Sequence, residues 1–207
     1  MAETGAAALS LRAVSRELGM VSSALYRYFP SRDALLTALI VESFDAVGAA
    51  AEQALPPAGR GVEKRWVAVA TAIRRWALGQ PHDYALVYGS PVPGYEAPTD
   101  TVDPAARVSL VALGIVGDGV AAGEIGTAAP AGLRMPRPLH ADMARLRDQV
   151  APDVPDEVLA RALLAWVAMF GSISYELFGH LHGVVDDYDA YFDHQMRRTA
   201  RLILGPT

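Results

Sequence analysis

Apolar side chains recur at helical spacing along nearly the whole chain. Over residues 33–54 the positions Leu35, Leu36, Leu39, Ile40, Phe44 and Val47 fall on one stripe, the mark of an amphipathic helix. Over residues 156–182 the stripe is longer: Leu159, Leu163, Trp166, Phe170, Ile173, Leu177 and Leu181 advance by three or four. Opposite it lie Val167, Gly171, Ser174 and Phe178. A helix that is apolar or small on two sides calls for two partners, its own core and a second surface such as another subunit. Tyr188, Phe192, Met196, Thr199 and Ile203 repeat the pattern over residues 187–204. Further helices are predicted for residues 62–78, 83–88 and 105–122, the last led by Pro104 at a position where a helix needs no amide hydrogen. "LPPAGRG", "GSPVPGYEAPTDTVDP" and "GTAAPAGLRMPRP" break the periodicity with proline and glycine. There is no convincing run of alternating β-branched residues and no internal repeat, so the predicted class is all-α.

The N-terminal stretch "SLRAVSRELGMVSSALYRYFPSRDALL", residues 10–36, carries the most specific pattern. Ser10 is placed to cap a helix over residues 11–18, and Gly19 permits the left-handed turn that ends it. In the helix that follows, Ala24, Leu25 and Tyr28 can pack inward while Ser22, Ser23, Tyr26 and Arg27 face out. Phe29 plugs the small core, Pro30 stops the helix and Ser31 caps a third. Helix, glycine turn, helix is the helix-turn-helix pattern, whose second helix enters the major groove of DNA. Arg32 then stands in the first turn of the third helix, unfavourable for a cation unless an anion such as a DNA phosphate faces it. Spacing alone leaves a plain helical hairpin equally open.

Charge and composition narrow the classes. The net charge is −5, but residues 1–35 carry four arginines against Glu3, Glu17 and Asp33, a head of +1 on a body of −6. That is the distribution expected if only the head meets phosphate. The absence of Cys removes disulfides and thiolate chemistry, and fits a reducing cytoplasm. "MAETGAAALSLR" lacks the basic start and apolar run of a secretory signal. The most apolar run, "ALLAWVAMFGSISY", falls short of the about 20 residues that cross a bilayer, so no membrane partner is expected.

"LRAVSRELG" with "ALYRYFPSRDALL" resembles the N-terminal domain of the TetR (tetracycline repressor) family of bacterial transcription regulators. The most specific part is the string of Leu25, Tyr26, Tyr28, Phe29, Ser31, Arg32 and Leu35. "RRWALGQPHDYALVYGSPVPGY" and "LLAWVAMFGSISYELFGH" are similar to one subgroup of the family's ligand-binding domains, named for a Trp-His-Gly signature. The resemblance implies a helix-turn-helix DNA-binding domain over residues 1–36 and a helical ligand-binding and dimerisation domain over 37–207. It implies a homodimer through the last two helices, about 156–204, bound to double-stranded operator DNA and released by a small-molecule effector. Residues 33–54 would transmit the effector's signal. By position, Ser10, Tyr26 and Arg32 fall where the family touches phosphate, and Ser22, Ser23 and Arg27 on the base-reading side; Arg12 shares the outward face. The sequence departs from the family in two places. "MAETGAAA" reads as only the tail of the helix that normally precedes the motif, and Val21 stands where the second helix usually has a capping Ser or Thr.

Other constellations carry less chemistry. Trp76, Tyr84, Tyr88, Tyr95, Trp166, Phe170 and Tyr175 could line an apolar ligand cavity, with core packing as the competing reading for each. His180, His182, Asp186, Asp187 and His194 cluster in sequence, but His residues two apart on a helix diverge, so solvent or subunit contacts are favoured over a metal. No catalytic set, phosphate loop or cofactor motif stands out; "GIVGDGVAAGEIG" does not follow a strand. The leading expectation is a ligand-released, DNA-binding repressor and not an enzyme. The alternatives are a ligand-binding dimer that has lost DNA binding with its first helix and, after it, a small all-α enzyme.

Overall fold

The periodic segments fold as helices. In the structure, a computed structural model, residues 10–129 and 134–206 are described, and these contain nine α-helices and no strand. In chain order they are α1 Leu11–Glu17, α2 Ser22–Tyr28, α3 Arg32–Ala54, α4 Val62–Gly79, α5 Pro81–Tyr88, α6 Val102–Ala121, α7 Arg137–Val150, α8 Asp156–Leu177 and α9 Tyr188–Leu204. The expectation for "MAETGAAA" lies outside the described residues. Helix α6 starts earlier than predicted and takes Pro104 into its first turn, where the missing amide hydrogen costs nothing. Helix α8 stops earlier than predicted, at Leu177, and Gly179 then takes φ +78. Asp187 caps α9, its carboxylate accepting from the amide of Ala190 at 2.9 Å. Helix α7, polar with Met143 buried, lies where the sequence pattern predicts no element.

The chain divides into two compact units, one within Met1–Ala49 and Trp76–Arg107, the other within Ala50–Arg75 and Val108–Thr207. In the first, Leu11 of α1, Leu25 of α2 and Leu35, Leu36 and Ile40 of α3 form a buried cluster. Phe29 packs on it, as do Leu86 and Val87 of α5 and Val92 and Tyr95 of the loop that follows. The small core of a three-helix head is thus enlarged by a segment some fifty residues on. The Tyr95 and Thr37 hydroxyls share a hydrogen bond of 2.9 Å in the same unit, and Arg107 donates to the carboxylate of Asp45 at 2.7 Å.

In the second unit α8 packs against α7 and α9. Of the predicted stripe of α9, Phe192, Met196, Thr199 and Ile203 are buried, together with Ala200, while Tyr188 is half-buried, and the Trp66 indole donates to Thr199 Oγ1 at 2.9 Å. Two buried arginines of this unit have polar partners. Arg65 reaches the carbonyl of Pro56 and the carboxylate of Asp118. Arg161, whose pKa is lowered by burial, donates to the carbonyls of Gly126 and Leu202. By length and composition Arg32–Ala54, Thr99–Ala121 and Asp156–Leu177 could each cross a membrane. The run "ALLAWVAMFGSISY" is shorter than a membrane span, but the whole helix Asp156–Leu177 that contains it is not.

Candidate nucleic-acid interface

The head is built by local rules. Gly19 takes φ +64, and behind it the Gly19 amide donates to Arg16 and the Met20 amide to Ser15, at 3.1 and 2.9 Å. This double closure ends α1 and turns the chain into α2. The Ser31 hydroxyl accepts from the amide of Ala34 at 3.0 Å, the predicted cap of α3. Between α1 and α2 the buried Ser15 hydroxyl donates to the carbonyl of Arg12 and shares a 3.0 Å hydrogen bond with the hydroxyl of Ser22. That bond fixes the two helices of the motif to each other.

The predicted DNA-facing residues are distributed as follows. Ser10, Arg12, Ser23, Tyr26 and Arg27 are exposed, and Arg32 is half-buried with Asp33 as a distant partner at 3.8 Å. Ser10 occupies the N-cap position of α1, yet its hydroxyl makes no cap hydrogen bond. Ser22, expected on the base-reading side, is half-buried and bound to Ser15. Tyr28, expected to pack inward, is 75 % exposed; Leu25 and Phe29 fill the core on either side of it. Arg16 is exposed in the last turn of α1, one turn beyond Arg12. Sequence reasoning left Arg16 out of the candidate set, although its spacing of four from Arg12 was the signal that places both on one face. The described head thus exposes cations, hydroxyls and phenols on both α1 and α2, the chemistry that binds phosphate and base edges.

The seven aromatic residues expected around a ligand fall into two sets. In the first unit Trp76, Tyr84 and Tyr88 pack in succession at tilted angles, with ring centroids 6.4 and 5.3 Å apart, and Phe44 meets Tyr88 edge-on at 5.9 Å. The buried Trp76 indole N–H has no hydrogen-bond partner. Burial pushes the Tyr88 hydroxyl well above the ordinary tyrosine pKa, and Tyr84 adds to the shift. Tyr95 is engaged with Thr37. In the second unit Trp166 packs on Phe170 at 4.7 Å, and the exposed Tyr175 lies tilted against His180 at 5.1 Å. None of the seven lines the open cavity of about 480 Å³ beside α7, which is bounded by Arg134, His140, Arg147 and Asp156 among others. There Asp156 accepts from Arg147 at 2.7 Å and pairs with His140 at 2.6 Å. His180, His182, Asp186, Asp187 and His194 are all exposed. No group of three or more metal-ligating side chains forms among the described residues.

Comparison with known proteins decides the family. A model of the N-terminal domain of bacterial regulatory proteins of the tetR family matches residues 1–39, and one of the tetracyclin repressor-like C-terminal domain matches residues 66–199. The chain belongs to the TetR family. Its relatives include the HTH-type transcriptional regulators Rv1816 of Mycobacterium tuberculosis and Mb1846 of Mycobacterium bovis. Each is 39 % identical over 199 residues, which cover 93 % of this chain and 82 % of the relative. Among solved structures, that of a candidate regulatory protein, SCO4313, superposes with a TM-score of 0.75 at 32 % identity, covering 99 % of this chain and 89 % of that one. A protein of unknown function from Rhodococcus sp. RHA1 follows with a TM-score of 0.64 at 25 % identity, covering 95 % and 83 %. TetR-family membership makes the chain a DNA-binding transcriptional regulator, of a family that binds operator DNA and small-molecule effectors and dimerises. In this TetR-family protein α1 and α2 are the helix-turn-helix, with α2 as its second helix.

Proposed function

We propose that this TetR-family regulator is a cytoplasmic homodimeric repressor that leaves its operator when a small molecule binds. The observation that carries the reading is the exposed face of the head, where Arg12, Arg16, Tyr26 and Arg27 stand clear of the fold. Ser10, Arg12, Tyr26 and Arg32 would hold phosphates, while Ser23 and Arg27 read bases; Ser22 serves chiefly to lock α2 onto α1. Dimerisation would use α8 and α9. Leu163, Leu164, Val167, Tyr175 and Phe178 are exposed along α8, more apolar surface than one chain has reason to leave in water. Pairing should set the two second helices about 34–36 Å apart, one turn of DNA.

The functional division is placed at residue 36, DNA binding before it and ligand binding and dimerisation over 37–207. The effector site is assigned to Trp76, Tyr84, Tyr88 and Tyr95 of the first unit; Trp166, Phe170 and Tyr175 of the second unit are a separate set of candidates for ligand contact. Two features support a link to the head within the first unit. Leu86 and Val87 of α5 sit on the head's own core, and Tyr95 holds Thr37 of α3. An effector that favours a conformation mismatched to the operator shifts the population off DNA. The match of the family's DNA-binding model to residues 1–39 favours this reading over a dimer that has lost DNA binding. No catalytic role, cofactor or membrane partner is proposed. A reporter placed behind the chain's own upstream DNA tests the proposal. Co-expression of the wild-type chain should silence it, Arg27→Ala should restore it, and a small-molecule screen should find a compound that restores it with wild type. Equal reporter output with and without the wild-type chain would remove the repressor reading.

A further inference from the structure

Val21 is an exposed apolar residue of the head whose presence the fold does not explain. It precedes α2 as the N-cap, its side chain makes no cap hydrogen bond, and it is 71 % exposed. A Ser, Thr, Asp or Asn there would satisfy a free amide of α2, which valine cannot do. Its backbone, at φ −71 and ψ 138, is ordinary extended chain and calls for no particular residue. It takes no part in the buried cluster of Leu11, Leu25, Leu35, Leu36 and Ile40.

The polar equipment around it is sparse. Ser22 is bound to Ser15, Ala24 has no polar side-chain atom, and Ser23 is the exposed hydroxyl of the first turn. The end of α2 that leads into the groove therefore presents a hydrocarbon beside one small hydroxyl, with Tyr26 and Arg27 a turn later. In the major groove thymine displays its C5 methyl, a feature apolar side chains recognise and cytosine lacks. Phosphate cannot be the partner of a side chain without a donor. We propose that Val21 is a specificity-determining residue that reads one thymine in each operator half-site through its C5 methyl group. This inference rests on α2 being the helix that enters the groove.

The test uses the full chain and DNA alone. Duplexes that bind wild type are selected from a random library, and each thymine of the consensus is then replaced in turn by deoxyuridine, which lacks only the methyl. Wild type should lose about fourfold in affinity per half-site at one thymine, the loss expected for one buried methyl. Val21→Ser should show no thymine–uracil difference at that position, should keep any difference read by Tyr26, and should no longer select thymine there when the library is bound afresh. Val21→Ala, which adds no hydroxyl but removes two methyl groups, should shrink the difference. The proposal falls if wild type binds thymine and uracil equally at every position, or if both variants keep the full difference. If no duplex is enriched by wild type at all, the placement of α2 in the groove falls, and the role of Val21 with it.

Discussion

Replacing Arg74 with alanine is expected to cost several times more stability than replacing Asp189 with asparagine, although each removes an ion pair of good geometry. Arg74 donates from Nε and Nη2 to the two carboxylate oxygens of Glu176 at 2.7 Å each, and from Nη1 to Asp189 at 2.6 Å. Its guanidinium carbon lies 5.2 Å from the centroid of the Phe192 ring. The bond to Glu176 is the main reason its pKa is raised, against the opposing effect of burial. The two acids differ in their surroundings. Arg74 is 8 % exposed and the Glu176 side chain 11 %, whereas the Asp189 side chain is 88 % exposed. Removing the cation strands a carboxylate away from water, a loss of about 3–5 kcal/mol. Removing Asp189 costs at most about 1 kcal/mol, since water re-solvates what is left. Replacing Arg74 and Glu176 together with methionine and leucine removes the stranded charge and should recover most of the loss. Urea unfolding followed by circular dichroism, at one protein concentration because association adds to apparent stability, measures all four proteins. In a chain of this length the single Arg74→Ala change corresponds to a fall in Tm of about 6–20 °C. Equal losses for Arg74→Ala and Asp189→Asn would refute the argument from burial, as would a double variant no more stable than Arg74→Ala.

Three further outcomes follow from other parts of the molecule. Gly19→Ala meets no atom within 4 Å but must hold φ +64, so it should lose about 1–2 kcal/mol from backbone strain alone; an unchanged denaturation midpoint would show that the turn relaxes. Because the folded-state pKa of Tyr88 is raised, its share of stability is intact below the unfolded value of about 10 and is lost as pH rises beyond it. Ultraviolet titration of the folded protein should accordingly include a late tyrosine step, and Tyr88→Phe should reduce that step and flatten the alkaline loss of stability. Val167→Glu, on the exposed face of α8, should leave helix content unchanged and convert a dimer to a monomer in sedimentation velocity; an unaltered dimer would move the interface elsewhere.

The sequence was most legible where one local rule decides the structure. The Gly19 turn, the Ser31 cap and the stripe of α9 all followed from spacing and side-chain chemistry, and each is present. Helix α8 shows where the pattern runs out. Its period was plain, but residues buried in the structure include Val158, Ala165 and Met169, while Leu163 is exposed. With leucines on both faces, periodicity cannot say which face meets the chain's own core. Tyr28 was misplaced for a related reason: Phe29 competes for the same inward position and takes it. Ser22 looked like a base reader because its partner, Ser15, sits in the preceding helix, and only the folded turn brings them together. The buried arginines were not foreseeable at all, since Arg74 and Arg161 find their partners through contacts distant in sequence. The packing of α5 and Tyr95 on the head belongs to the same class.

The central claim is that the head of this TetR-family protein binds operator DNA through its exposed cations and α2. Fluorescence anisotropy of the full chain on a duplex enriched from a random library, repeated across a range of salt, tests it most directly. Binding should be saturable, with an affinity whose logarithm falls linearly with log salt, a slope reduced by about one per head in Arg12→Ala, and relaxed sequence preference in Arg27→Ala. Failure of the wild-type chain to bind any duplex saturably, or binding indifferent to salt and to both arginines, would contradict it.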